Sequence, residues 1–230
     1  MSSGLPAWRS RGLRTGRVAP TITALGAWAS LPLVVGLSVG FLGVGAELLS
    51  IGMLIAIHRR DLVARLKYEW RLGIPMRRLP TAIVIGALSG GGAVVLLTLR
   101  NSPHRVMPFS HWTPPAALAA LVIVVLAMAN AVMEESLWRL LLQGSLTGEG
   151  LGGAPAVALP AIGFALSHLG GLPGGPIGML GAGLFGLAQG ILRRKGRSLP
   201  ELSLIHFVVD LIIFSFVWQT GLVFGHNHFG

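Results

Sequence analysis

Apolar residues run along this chain in stretches too long for strands, interrupted by short basic or Gly/Pro-rich breaks. The stretches cover residues 24–57, 81–99, 115–142, 154–169, 176–192 and 199–218. A span of about 20 apolar residues crosses a bilayer as a helix, and only helices satisfy every backbone amide in lipid without a closed barrel. The pattern therefore predicts an all-α, polytopic bundle of six to seven transmembrane helices. The first stretch is long enough for one overlong tilted helix or for two short ones turning near Gly40. The stretch from 115 has its own boundary signals: Thr113 can cap it, Pro114 can start it and Gly144 can stop it.

Between 61 and 74 the period changes. Leu62, Leu66 and Trp70 recur every four residues among Arg65, Lys67 and Arg71, which suits either a short helix lying on the inner leaflet or a solvated loop. In the stretch 176–192, Ala182, Gly186 and Gly190 form a stripe of small residues on which a neighbouring helix can pack closely. The organisation that follows is a flexible basic tail (1–20), N-terminal membrane helices with a basic loop at 58–79 (21–113), a membrane core (114–218) and a C-terminal tail (219–230).

Composition agrees with lipid as the solvent. Only 11% of residues are charged and 53% are hydrophobic, with a mean hydropathy of +0.73, whereas soluble domains carry about a quarter charged residues. The absence of cysteine excludes a thiol nucleophile, a disulfide and a thiolate metal site. The formal charge of +10 does not call for nucleic acid. Its basic residues gather at 9–17, 59–78 and 193–197, beside apolar stretches, as in cytoplasmic loops facing anionic lipid. Placing 59–78 in the cytoplasm and alternating forward brings 193–197 to the same side after four crossings. A cytoplasmic N-terminus then requires an even number of crossings within 24–57, which favours seven helices.

Charges inside membrane helices cost about 2.5–3.5 kcal/mol each at the bilayer centre, so the few retained point to a partner or a function. They are Glu47, Glu134, Glu135, Arg139, His168, His206 and Asp210. Glu135 and Arg139 stand four apart and can pair on one helix face. Glu134 lies about 100° away round the helix, where it can act as a general base for water or simply face a polar cavity. Phe164 and His168 share a face, with the imidazole either in a cavity or bonded to a neighbouring carbonyl. His206 and Asp210 do the same, as a structural hydrogen bond, an oriented histidine or a cation site. At about 1.5 Å per residue, His206, Glu134 and His168 lie roughly 10, 15 and 20 Å from the cytoplasmic ends of their helices. These depths allow one water-filled cavity open to the cytoplasm.

Three patterns in this order, Glu134-Glu135…Arg139, Phe164…His168 and His206…Asp210, resemble the CAAX-protease and bacteriocin-processing family, also called the Abi family. The stretch 186–190, the basic turn after it and Ser198-Leu199-Pro200 are similar to that family as well, and the likeness spans roughly 115–218. The resemblance implies an intramembrane endopeptidase. In it Glu134 and His168 activate water, His206 and Asp210 stabilise the oxyanion or complete a metal site, and Glu135 and Arg139, with Phe164, support the motif. Where the third motif ends in Asn its amide can donate to an oxyanion. Asp210, when ionised, cannot. A divalent ion such as Zn²⁺ held by some of Glu134, His168, His206 and Asp210 is one answer, and an Asp210 that only orients His206 is another. The implied substrate is a membrane-anchored protein or peptide cut near the cytoplasmic face of a prokaryotic plasma membrane. Two rivals are a bacteriocin-immunity or scaffold protein, which need not keep Glu134 or His168, and an ion-coupled transporter, which would show repeats and broken helices. No His-Glu-x-x-His, Gly-x-Ser-Gly or paired-aspartate signature is present. The pair His226 and His228 reads as part of a disordered end.

Overall fold

The structure, a computed structural model, describes residues 63–99, 115–148, 152–168 and 174–220. All regular structure among these residues is helical. The expectations for the tail 1–20, the stretch 24–57 with Glu47, the cap at Thr113 and Pro114, and His226 and His228 lie outside the described residues.

Residues 63–72 form α1, which ends at Gly73 in the left-handed region, φ +60°. A 3₁₀ turn at Met76–Arg78 leads into α2, Leu79–Leu99. Then come α3, Ala116–Glu135, a π-helix, Ser136–Gln143, and α4, Gly144–Gly148. The last three are α5, Pro155–Ser167, α6, Gly175–Arg194, and α7, Leu199–Thr220. Four runs have the length and apolar character of membrane spans: Met76–Thr98, Ala116–Gln143, Gly175–Arg194 and Leu199–Thr220. The protein is thus a multi-pass membrane protein, with α5 a shorter apolar helix of 13 residues, about 20 Å long. The sequence reading counted 154–169 as a full crossing; by length α5 falls short of one.

Pro115 is the N-cap of α3, and the boundary at the other end differs from expectation. Gly144 does not stop the helix: with φ −62° and ψ −38° it carries it on into α4. Glycine only permits a left-handed stop, and without one the helix continues.

Small residues set the packing. On α2, Ala82, Gly86 and Gly90 face α7, and a Cβ on Gly86 would come within 2.7 Å of Ile205 O and of Val208 Cβ. On α3, buried Ala119, Ala127 and Ala131 let it lie against the other side of α7. The α6 stripe does what the sequence suggested: Gly186 and Gly190 receive α5, with Phe164 Cδ1 at 3.0 Å and Val157 Cγ1 at 2.8 Å from their ideal Cβ positions. A Cβ at 2.8 Å from a branched side chain forces a shift, because a packed interior has no room to give. Gly190→Leu is therefore expected to lower the thermal midpoint in detergent, at a cost of about 1–3 kcal/mol. Gly92→Ala, where a Cβ meets nothing within 4 Å, should leave the midpoint unchanged or raise it. Equal midpoints for Gly190→Leu and the wild type would refute the stripe as the α5 seat.

A polar clasp fixes one end of the bundle. Glu69 of α1 is wholly buried, while Trp70, on the apolar face, is 45% exposed. Glu69 accepts two bonds from Arg193, 2.6 and 2.8 Å, and one from the Leu199 backbone N–H, 3.2 Å. Ser198 Oγ donates to Gly73 O at 2.7 Å, and Glu201 takes Arg197 and Arg78. The clasp places α1, the start of α2, the end of α6 and the start of α7 together. The described parts of the basic clusters 59–78 and 193–197 thus share one end of the bundle, as their charge predicted.

Candidate active site

The site begins where α3 changes its winding. Ser136 Oγ donates back to Val132 O at 2.6 Å at the onset of the π-helix, and Thr147 Oγ1 does the same to Gln143 O at 2.8 Å just past its end. Such bonds compete for the i−4 carbonyl and loosen the α ladder, while i→i+5 closure widens the turn and occurs chiefly at functional sites. In the widened segment Leu137 through Gln143 are all buried. Trp138 lies over Gly163 of α5, where a Cβ would sit 2.6 Å from its ring. Its edge meets Phe164 at 5.9 Å.

Glu135, the last residue before that segment, is wholly buried and holds two partners. Its Oε2 faces Arg139 Nε at 3.2 Å, as the four-residue spacing predicted. Its Oε1 is 2.9 Å from His206 Nδ1 on α7. A carboxylate accepts, so Nδ1 donates and the ring is fixed with Nε2 turned the other way. The orienting role that spacing had suggested for Asp210 therefore falls to Glu135. Arg139 is wholly buried as well, and its guanidinium lies 5.4 Å above the Phe164 ring.

On the Nε2 side of His206 stand two more carboxylates. Glu134 Oε2 is 3.4 Å away and Asp210 Oδ1 3.6 Å. Asp210 Oδ2 also accepts from Asn130 Nδ2 at 3.1 Å. Asn130 lies one turn before Glu134 and escaped a search confined to ionisable residues; the available signal was an amide inside an apolar helix.

His168 stands just past the end of α5, as its C-cap, with φ −88° and ψ 3°. Its Nδ1 is 2.9 Å from Phe164 O and 3.2 Å from Ser167 Oγ. The carbonyl can only accept, so Nδ1 carries the hydrogen and, in the neutral ring, Nε2 keeps the lone pair. Phe164 joins the two histidines: its ring centroid is 4.5 Å from His168 and 5.9 Å from His206. Phe185 of α6 closes the other side, 5.1 Å from His206 and edge-on.

Glu134, Glu135, Arg139, Phe164, His168, His206 and Asp210 thus belong to one connected cluster, drawn from α3, the π-helix, the end of α5 and α7. Among the described residues no three His, Asp or Glu side chains are grouped to hold an ion; Nδ1 of His206 is bonded to Glu135 and Nδ1 of His168 to a carbonyl, which leaves each ring its Nε2.

Residues 116–212 match the family model of the Rce1-like proteins, described as type II CAAX prenyl endopeptidase Rce1-like. The matched segment runs from the first turn of α3 into α7 and contains every residue of the cluster. No curated protein and no solved structure matches the chain.

Proposed function

From a core that is Rce1-like over residues 116–212, we propose that this protein is an intramembrane endopeptidase acting on a membrane-anchored protein or peptide. The observation that carries the reading is one histidine, His206, held by Glu135 from Nδ1 while Nε2 faces Glu134 and Asp210. Hydrolysis of an amide needs a base for water and a donor where negative charge develops.

In this reading Glu134 takes the proton of a water molecule that His168 Nε2 helps to orient. The hydroxide adds to the scissile carbonyl carbon, and His206, an imidazolium with carboxylates facing both its nitrogens, donates from Nε2 toward the oxygen that becomes negative. Glu134, now protonated, returns its proton to the departing amine as the C–N bond breaks. Glu135 and Arg139 hold His206 in register from behind. An apolar groove of about 660 Å³ lies between Leu66, Lys67 and Trp70 of α1 and Met128, Ala129, Val132 and Met133 of α3. Such a groove suits the apolar part of an anchored substrate. The basic end of the bundle faces the cytoplasm, by the excess of Lys and Arg there.

Purified protein in liposomes is expected to cut a membrane-anchored reporter peptide and to spare the same peptide without its anchor. Cleavage should survive a zinc chelator, because no step uses a metal. Loss of activity on chelation with recovery on adding Zn²⁺ would replace this mechanism with a metal-dependent one. Failure to cut any anchored reporter would favour a scaffold or immunity protein.

A further inference from the structure

A carboxylate within a membrane bundle needs partners on both oxygens, and Asp210 draws them from two helices. Oδ1 faces His206 Nε2 at 3.6 Å, a distance long for a hydrogen bond. Oδ2 meets Asn130 Nδ2 at 3.1 Å, within normal range. The stronger tether of Asp210 is therefore Asn130, across the α3–α7 interface, and not its own helix neighbour. The chemistry fixes the direction of that bond, since an ionised carboxylate only accepts and the amide must present its NH₂. The packing explains how so short a side chain reaches: Ala127 and Ala131, on either side of Asn130, are wholly buried and bring α3 and α7 close. Asn130 also stands one helical turn before Glu134, so the residue that ties Asp210 shares an element with the acid facing the same histidine nitrogen.

We propose that Asn130 is a positioning residue of this site: it holds Asp210 so that Oδ1 stays turned to His206 Nε2 and Glu134 keeps that face of the ring. The inference rests on the protease reading. It adds to that reading a residue outside the three sequence motifs, acting through Asp210. Without Asn130 the Asp210 carboxylate loses its closest partner and is free to rotate toward His206 or away from it. Either motion alters the acceptor seen by Nε2, and so the orientation in which that nitrogen can donate to developing charge.

The test is a four-variant cycle in liposomes with the anchored reporter: wild type, Asn130→Asp, Asp210→Asn and the swap Asn130→Asp/Asp210→Asn, with Asn130→Ala beside them. Asn130→Ala should lower kcat about 10- to 100-fold, the range for losing a hydrogen bond to a charged group, with KM nearly unchanged. Asn130→Asp, which sets two carboxylates against each other, should be lower still. The swap restores one donor and one acceptor across the same interface, and should recover at least tenfold over Asn130→Asp. Thermal midpoints of the same proteins separate folding from positioning. A swap that recovers the midpoint but not kcat makes the bond a structural tie only and overturns the proposal, as does wild-type kcat in Asn130→Ala. If the wild type itself fails to cleave, or Glu134→Gln cleaves as well as it does, the protease reading falls and takes this inference with it.

Discussion

Replacing Glu134 by Gln is expected to lower kcat for the anchored reporter by a factor of about 10²–10⁴, the usual contribution of a general base. The fold should survive the change, because Gln keeps the volume and an oxygen that can face His206 Nε2. The choice of Glu134 over its neighbour follows from position. Its side chain is 16% exposed against 0% for Glu135, so of the two it is the less enclosed. Glu135 is spent on Arg139 and His206. His168→Ala should fall in the same range with KM little altered, since in the proposed mechanism its Nε2 orients the water and does not bind the substrate. The measurement is kcat and KM on reconstituted protein, with the thermal midpoint as a check on folding. A Glu134→Gln enzyme that cuts at the wild-type rate would move the base elsewhere, and the mechanism with it.

The contrast between Glu134 and Glu135 shows how far the residues alone carried. Spacing was sufficient for contacts within one helix. Four-residue separation put Arg139 on Glu135 and His206 beside Asp210, because a helix returns to the same face after that interval. The three motifs converge, as the depths allowed, and the Gly186/Gly190 stripe seats α5. Contacts between helices were not legible. Nothing in the order of residues said that Glu135 would reach His206, or that Asn130 would hold Asp210, since those pairs depend on rotation about each helix axis. That rotation is set by alanines and glycines on α2 and α3, whose small size has no periodic signature as clear as an apolar stripe. The π-helix was invisible for a related reason. The composition of Ser136–Gln143 is ordinary for a helix, and the widened winding depends on where Leu137 to Gln143 find burial. Glu69 was missed because an acid on an interfacial helix reads as solvated, and only its partners on α6 and α7 make it an anchor.

The pair Glu135 and Arg139 gives the largest expected effect on stability, and it separates folding from chemistry. Both side chains are wholly buried, so removing one leaves the other's charge uncompensated. Arg139→Leu should therefore cost about 3–5 kcal/mol, seen as a large fall in the thermal midpoint in detergent. Replacing both by leucine removes both charges at once. Exchanges of this kind are often neutral or stabilising, because desolvating two ions offsets much of their attraction. Glu135→Leu/Arg139→Leu is thus expected to fold with a midpoint near that of the wild type. Cleavage should not return with the fold. His206 Nδ1 would have lost its acceptor at 2.9 Å, and nothing would hold Nε2 toward Glu134 and Asp210. If the double variant cleaved normally, Glu135 and Arg139 would be a brace for the helix alone. If it folds and is inactive, Glu135 acts across the interface as the residue that orients His206, and the pair is kept for its chemistry at a cost that the fold does not require.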